Sequence, residues 1–440
     1  MYLPHWPIPS TLGGKAIDYE SVFERMSLVL EKLGNPHKKL PPIVHVTGTN
    51  GKGSTVAVIA KIFSCAGYKT HIYTSPHLHD CNERIVLNGE KISDNELYQT
   101  MEEVRLVADS VPLTFMEAFT IGAFLAFSKN AADVLIMEVG MGGRIDATNI
   151  VEEKLATVIT PISFDHTEYL GNSVERIALE KSMIVRPNAP MIVASQPKQA
   201  KEIIKIICTD QKVFTYFYDE NFSISYDQES GEFDLIFEDQ SYENLSKPAL
   251  VGDHQYINFA TAIATILAIQ KEGRFLAIKR NHIEQAIKTV TWQSRLEKIS
   301  GKILNNSLSE LWIDGAHNEA GAFALARWIA NQQKQNSKIK HNIIICGFSR
   351  NKCKARFLEK FFNVADEIIG VRVNGEPYPE SAETIKEIGL TAQQTSNANC
   401  KISSQDALSE AIYYISQNYS EPCRIIICGS LHLARDVELI

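Results

Sequence analysis

No run of 18 or more apolar residues occurs in the 440-residue chain, which excludes a membrane-spanning helix and leaves no membrane partner to expect. No C-x-x-C pair occurs among eight scattered cysteines (65, 81, 208, 346, 353, 400, 423 and 428). Neither a zinc site nor a disulfide framework is therefore indicated, and a reducing, cytoplasmic setting is expected. Positive charge is not in excess: 44 Lys and Arg face 52 Asp and Glu, a net charge of −8. That gives no electrostatic footing for a nucleic-acid partner and fits simple solubility. The opening Met1-Tyr-Leu-Pro-His-Trp-Pro lacks a basic segment followed by an apolar run, so no secretory signal is expected. Internal repeats and low-complexity tracts are also missing. What is present is ordinary for a globular protein, 45% hydrophobic and 22% charged, at a length that calls for two domains or more.

Residues 43–55 read Ile-Val-His-Val-Thr-Gly-Thr-Asn-Gly-Lys-Gly-Ser-Thr. An apolar β-rich run enters a loop with Gly48, Gly51 and Gly53, and a helical pattern follows from Thr55 until Gly67. Strand, glycine loop and helix turn backbone N–H groups and a helix N-terminus onto a phosphate. Lys52 adds a point charge for the terminal phosphates, and the hydroxyl of Ser54 or Thr55 can reach a magnesium ion. Thr49, Asn50, Gly51, Lys52, Gly53, Ser54 and Thr55 are thus candidate nucleotide-binding residues. The usual G-x-x-x-x-G-K-[ST] spacing is not met, because Gly53 separates the lysine from the first hydroxyl.

Apolar strands alternate with helices along the rest of the chain. Residues 17–33 predict an amphipathic helix with Phe23, Met26, Leu30 and Leu33 on one face. A strand near 70–74 precedes a turn-rich segment, Ser93 predicts a helix cap, and 115–127 is an apolar helix. Residues 133–139 and 156–162 are continuous apolar strands of a parallel sheet buried on both faces. Residues 212–245 change character: Val213–Tyr218, Phe222–Tyr226 and Phe233–Phe237 predict a small antiparallel subdomain. A helix over 256–270 follows. A second α/β pattern then begins, with strands at 311–314, 342–346, 367–371 and 424–428 and helices near 319–334, 353–362, 379–388 and 405–417. The layout is doubly wound and Rossmann-like, but it lacks G-x-G-x-x-G and so implies no dinucleotide.

Polar clusters fall at the ends of these strands, where ligands of open α/β sheets bind. Glu138 ends one strand beside the glycine loop and is placed to hold Mg²⁺; a salt-bridged strand-end glutamate is the plainer alternative. Asp165 and His166 follow the next strand as a candidate ligand or base. Lys181, on a later helix, reads as a solvated lysine on its own. Asp314-Gly-Ala-His317-Asn318 repeats the arrangement in the second half, and Gly252-Asp-His-Gln-Tyr-Ile-Asn258 offers amides that could read a base edge. Plain capping chemistry would account for either.

Together these residues resemble the folylpolyglutamate synthase and dihydrofolate synthase family of the Mur ligase superfamily. The likeness rests on Thr47–Ser54, Tyr73–Leu78 with Asn82–Ile85, Glu138–Arg144, Asp146–Asn149, Asp165-His166 with Leu170-Gly171, Glu180-Lys181, His254-Gln255 with Asn258, Asp314–Asn318 and Gly429–Leu431. It implies an α/β fold: a P-loop ATPase domain over 1–296, a mostly parallel sheet with helices on both faces plus a small antiparallel β subdomain, and a Rossmann-like glutamate-ligase domain over 297–440. It implies an active site in the cleft between them. It implies an ATP-dependent, amide-forming ligase that adds L-glutamate to dihydropteroate or reduced folates through an acyl phosphate, acting as a monomer. Lys52, Lys181, His166 and His317 would be catalytic. Ser54 (or Thr55), Ser75, Glu138 and His166 would serve two Mg²⁺ sites, with Lys181 carbamylated. Asn258, Arg295, Asp314 and His317 would bind nucleotide, His77 and Arg84 the pterin-bearing substrate, and Ser430 glutamate.

Several positions depart from the family pattern. Glu180-Lys-Ser-Met-Ile184 replaces Glu-Lys-Ala-Gly-Ile, and Gln293-Ser294-Arg295 keeps only the arginine of Pro-Gly-Arg. Asn318-Glu319 replaces Asn-Pro, Lys352-Cys353 replaces Lys-Asp, and Met116-Glu117 replaces Phe-Glu. Near the N-terminus the family's Ile-Asp-Leu-Gly-Leu is broken, with Asp18 or Glu20 its counterpart. Two rival readings stand beside the first: a Mur-type ligase acting on a UDP-sugar peptide, and a non-catalytic nucleotide-binding regulatory protein.

Overall fold

The computed structural model describes residues 21–299, 309–335, 338–376, 378–394, 396 and 398–438. The expected start of the first helix, with Asp18 and Glu20, lies outside them. The chain divides into two compact units. The first takes residues up to Ser163, Thr167–Ala249 and Tyr256–Val290; the second takes Phe164–His166, Leu250–Gln255 and Thr291 onward. Residues 291–296, expected to close the first domain, thus group with the second unit.

The first unit is built on eight strands: β1 (Ile43–Thr47), β2 (Thr70–Tyr73), β3 (Ile85–Leu87), β4 (Glu90–Lys91), β5 (Val134–Glu138), β6 (Ala156–Ile159), β7 (Met191–Val193) and β8 (Thr215–Phe217). Their order is β4-β3-β2-β5-β1-β6-β7-β8, parallel except for β3 and β4 at one edge. Every residue of β1 and β5 is buried, as continuous Val, Ile and Leu runs require. Helices α1 (Val22–Lys32), α2 (Lys52–Cys65), α3 (Asp94–Ala108), α4 (Phe115–Lys129), α5 (Thr167–Leu170) and α6 (Val174–Ser182) lie in the connections. Side chains of α1, α3 and α4 form one apolar cluster with Tyr73, Leu135 and Met137, and those of α6 and Lys198–Asp210 another with Ile159, Met191 and Val193.

The run Val213–Tyr218 is a correction to the expected subdomain. It pairs in parallel with β7 as the edge of the main sheet. The antiparallel sheet is β9 (Phe222–Tyr226), β10 (Phe233–Phe237) and β11 (Gln240–Leu245) instead. Phe217 and Tyr216 are buried, which an edge strand under a helix permits as well as a hairpin does.

The second unit is a six-stranded sheet, β12 (Glu297–Ile299), β13 (Glu310–Ile313), β14 (His341–Cys346), β15 (Glu367–Val371), β16 (Lys401–Gln405) and β17 (Cys423–Cys428), ordered β12-β13-β17-β14-β15-β16. Only β12 is antiparallel. β17 returns between β13 and β14, the doubly wound pattern expected, and all of its residues are buried. Among the described residues no helix is long and apolar enough to cross a membrane.

Candidate active site

β1 is central, so its carboxyl end delivers the glycine loop to the middle of the sheet edge. Gly48 has φ +145°, and a Cβ there would lie 1.9 Å from the Thr160 hydroxyl. Gly51, at φ +83°, caps α2, and a Cβ there would lie 2.3 Å from Asn258 Oδ1. No larger residue fits at either point without displacing its neighbour, and the second distance shows that Asn258 lies against the loop. The Lys52 ammonium donates to the carbonyls of Gly48 (3.3 Å) and Thr49 (3.2 Å) and lies 3.9 Å from Glu138 Oε1. The hydroxyls of Ser54 and Thr55 are fully buried with no hydrogen-bond partner among the described residues. Burying a hydroxyl unpaired is costly, and an incoming oxygen ligand or cation relieves it.

Thr49 and Asn50 differ from the expectation that their amides face a phosphate. Both N–H groups donate to the Pro161 carbonyl (3.1 and 3.2 Å). The Thr49 hydroxyl donates to the Ser163 carbonyl and accepts its N–H, each at 3.1 Å, and Asn50 Nδ2 donates to Ser163 Oγ. These residues fasten the loop to the end of β6, while the N–H groups of the first turn of α2, from Lys52 to Ser54, have no intrahelical carbonyl to bond.

Glu138, the last residue of β5, is buried, and its Oε2 accepts the Ser75 N–H at 3.4 Å. Lys181, on α6, is buried and donates to the Gly48 carbonyl at 2.8 Å. The solvated lysine read from sequence is thus an interior group over the glycine loop. Ser54, Thr55, Ser75, Glu138, Lys52 and Lys181 all belong to the first unit; Lys181 and Lys52 bond the glycine loop, Lys52 neighbours Glu138, and Glu138 holds the Ser75 N–H. No group of three or more His, Cys, Asp or Glu able to hold a metal occurs among the described residues. Hydroxyls and one carboxylate form the donor set instead. Magnesium keeps several waters and takes one or two carboxylates plus substrate phosphates, so this set fits it. His166, with φ +48°, groups with the second unit.

The substrate-side candidates of the first unit, His77 and Arg84, meet in one cluster. Arg84 is buried, its Nε donates to His77 Nδ1 at 2.8 Å, and its guanidinium lies 5.5 and 5.6 Å from the rings of Phe115 and Phe119. Burial lowers its pKa, and burial pushes the nearby Tyr73 phenol up to about 12. Glu83 fixes the turn beside them by accepting the N–H groups of Leu78, His79 and Asp80.

In the second unit Asp314 spends both carboxylate oxygens on backbone, accepting the N–H groups of Leu296 and Ala316 at 2.8 Å each. It shapes the turn that presents His317. His317 bonds the Gly315 carbonyl through Nδ1 (2.9 Å) and Asp165 Oδ2 through Nε2 (2.8 Å). Asp165 also accepts from Lys352 Nζ at 2.6 Å and Asn318 Nδ2 at 3.3 Å. Burial pushes the Asp165 pKa up, but the His317 hydrogen bond and the charges of His317, His166 and Lys352 outweigh it and hold the carboxyl well below its ordinary range. Arg295 packs over Gly315, where a Cβ would meet its Nη1 at 2.3 Å. Ser430 donates to Glu376 Oε2 at 3.3 Å. Sequence reasoning missed Lys352 as the partner of Asp165 and Glu376 as that of Ser430; no spacing signal could have joined residues so far apart.

Residues 46–266 match the family model for the Mur ligase middle domain, and residues 271–439 that for the C-terminal domain of dihydrofolate synthetase. The dihydrofolate synthase/folylpolyglutamate synthase of Bacillus subtilis (strain 168) is 31% identical over 426 residues, covering 94% of this chain and 93% of its own. The chain belongs to the folylpolyglutamate synthase and dihydrofolate synthase family. Among solved structures it is similar to E. coli FolC in complex with DHPP and ADP, with TM-score 0.82 and 28% identity over 94% of this chain and 92% of that one. The bifunctional folylpolyglutamate synthase/dihydrofolate synthase of Yersinia pestis complexed with AMPPNP and Mn ion gives TM-score 0.81 and 27% identity, covering 95% of this chain and 92% of its own. The dihydrofolate synthetase match in the second half of this family member sets aside the UDP-sugar peptide ligase.

Proposed function

We propose that this member of the family joins L-glutamate to dihydropteroate, or to a reduced folate, at the expense of ATP. The substrate carboxylate attacks the γ-phosphorus, ADP leaves, and an acyl phosphate forms. The glutamate amino group then attacks the acyl carbon, loses a proton and expels phosphate. The observation that carries this reading is the pair of buried, unpartnered hydroxyls of Ser54 and Thr55 beside Lys52 and Glu138 at the end of the central strand. Relatives in complex with ADP, and with AMPPNP and Mn ion, support a nucleotide and a divalent ion for this chain.

The amides of Gly51–Ser54 and the Lys52 ammonium hold the phosphates and offset the charge that accumulates on them during transfer. A divalent ion, when bound by Ser54 or Thr55, Ser75 and Glu138, supplies further positive charge against the phosphate oxygens. Asn258, Arg295, Asp314 and His317 are assigned to nucleotide, His77 and Arg84 to the pteroyl substrate, and Ser430 to glutamate. The reading includes a second metal site with His166, and carbamylation of Lys181, which turns a buried cation into an anionic oxygen ligand. It extends to a monomeric, cytoplasmic enzyme, the latter supported by eight cysteines that form no disulfide. Phosphate release from ATP that requires both dihydropteroate (or tetrahydrofolate) and glutamate tests the proposal. Nucleotide binding without such release would favour the regulatory-protein reading, for which the exposed Cys353 in place of a carboxylate is the supporting feature.

A further inference from the structure

β1 does more than lead into the glycine loop. His45 and Thr47 are two residues apart on one strand and point to the same side of the sheet. Both reach the segment that follows Glu138. The Thr47 hydroxyl donates to the Gly142 carbonyl at 2.7 Å. His45 Nε2 lies 2.8 Å from Thr148 Oγ1, which donates to Asp146 Oδ1 at 2.5 Å. Asp146 Oδ2 in turn accepts the N–H groups of Gly140 and Met141, both at 3.1 Å. The Thr148 hydroxyl gives its proton to Asp146, so it can only accept from His45, and the imidazole carries its proton on Nε2. Burial first, then the charges of Lys154 and Arg186, hold the His45 pKa well below its ordinary value and keep the ring neutral. The order of donation is therefore fixed from His45 through Thr148 to Asp146.

The far end of this chain is a wedge. A Cβ on Gly140 would lie 3.3 Å from Asp146 Oδ2 and 3.4 Å from Ser75 Oγ, so Gly140 sits between the Asp146 carboxylate and the Ser75 hydroxyl. Glu138 is two residues earlier and accepts the Ser75 N–H. The backbone that Asp146 holds at Gly140 thus continues directly from the strand end that carries Glu138 and lies beside Ser75.

We propose that His45 and Thr148 are positioning residues for the divalent-ion site, setting the spacing of Ser75 and Glu138 through Asp146 and Gly140. The inference rests on the assignment of Ser75 and Glu138 to the metal. Direct hydrogen-bond partners of metal ligands typically change metal affinity about 10- to 100-fold when removed, and a chain that acts one step further out falls at the low end of that range.

The test is calorimetric titration of Mn²⁺ into protein saturated with a non-hydrolysable ATP analogue, beside thermal melts and steady-state kinetics. His45→Phe and Thr148→Val remove one donor each; His45→Gln and Thr148→Ser restore it. The expected result is Mn²⁺ affinity lowered roughly 10-fold or more in the first two and returned to within about threefold in the second two. The Mg²⁺ concentration for half-maximal activity should rise in parallel while the KM for glutamate holds. Unchanged Mn²⁺ affinity in both deletion variants overturns the proposal. So does a loss that tracks the melting temperature and that Gln and Ser fail to restore. If Glu138→Ala leaves Mn²⁺ affinity intact, the metal assignment itself fails, which is a separate outcome read in the same titration.

Discussion

At the scale of single residues, the site divides by what a strand end reveals. Glu138, Lys52 and Ser54 were legible because a carboxylate, a lysine and a hydroxyl fall where parallel strands end. Glu138→Ala should reduce Mg²⁺-dependent ligation by two orders of magnitude or more, about 3 kcal/mol of transition-state stabilisation. A rate near wild type across a magnesium titration would refute that role. Lys181→Ala should lose ligation and regain part of it with formate or acetate, because the group needed is an anion; no recovery with any short acid would count against carbamylation. Asp165 was legible as a strand-end carboxylate, but its clamp was not, since Lys352 lies 187 residues away. Its pKa is depressed on folding, so its contribution to stability is complete above the unfolded carboxyl pKa near ~4 and is lost as pH falls toward the folded value. The difference in melting temperature between wild type and Asp165→Asn should therefore be largest near neutrality and shrink below about pH 4. A difference independent of pH would contradict the clamp.

Among the elements, periodicity found the long apolar strands and amphipathic helices and failed where burial is incomplete. β16 reads Lys-Ile-Ser-Ser-Gln, with one buried residue, and its membership comes from parallel pairing with β15 rather than from pattern. β8 was seen as a strand but placed in the wrong sheet, because aromatic residues signal a strand without naming its neighbour. Helix α4 shows what a departure from family pattern can conceal. Glu117 follows Met116 and closes a capping box with Thr114 while taking both Arg25 Nε (3.2 Å) and Nη2 (2.7 Å). Its side chain is almost wholly buried, so Glu117→Ala takes the carboxylate from Arg25 Nε and Nη2 and removes the half of the capping box that accepts the Thr114 N–H. The expected loss is about 3–5 kcal/mol, read from the denaturant midpoint. A loss under 1 kcal/mol would show the pair to be incidental.

For the whole molecule, two α/β units were legible from the two runs of alternating strands and helices. The allocation of short segments was not. Phe164–His166 and Leu250–Gln255 group with the second unit although both lie within the first stretch of sequence. Long-range contacts decide such membership, and local pattern carries none of them. The central claim concerns the whole reaction: ATP activates a carboxylate that glutamate then captures. It is tested most directly by supplying dihydropteroate, or tetrahydrofolate where that is the substrate used, with its carboxylate enriched in ¹⁸O. Attack on the γ-phosphorus followed by amide formation must leave one carboxylate oxygen in the released phosphate. Mass spectrometry should find one ¹⁸O in each inorganic phosphate and a product heavier by one glutamate residue. Phosphate without the label, at stoichiometric ADP formation, would contradict the account.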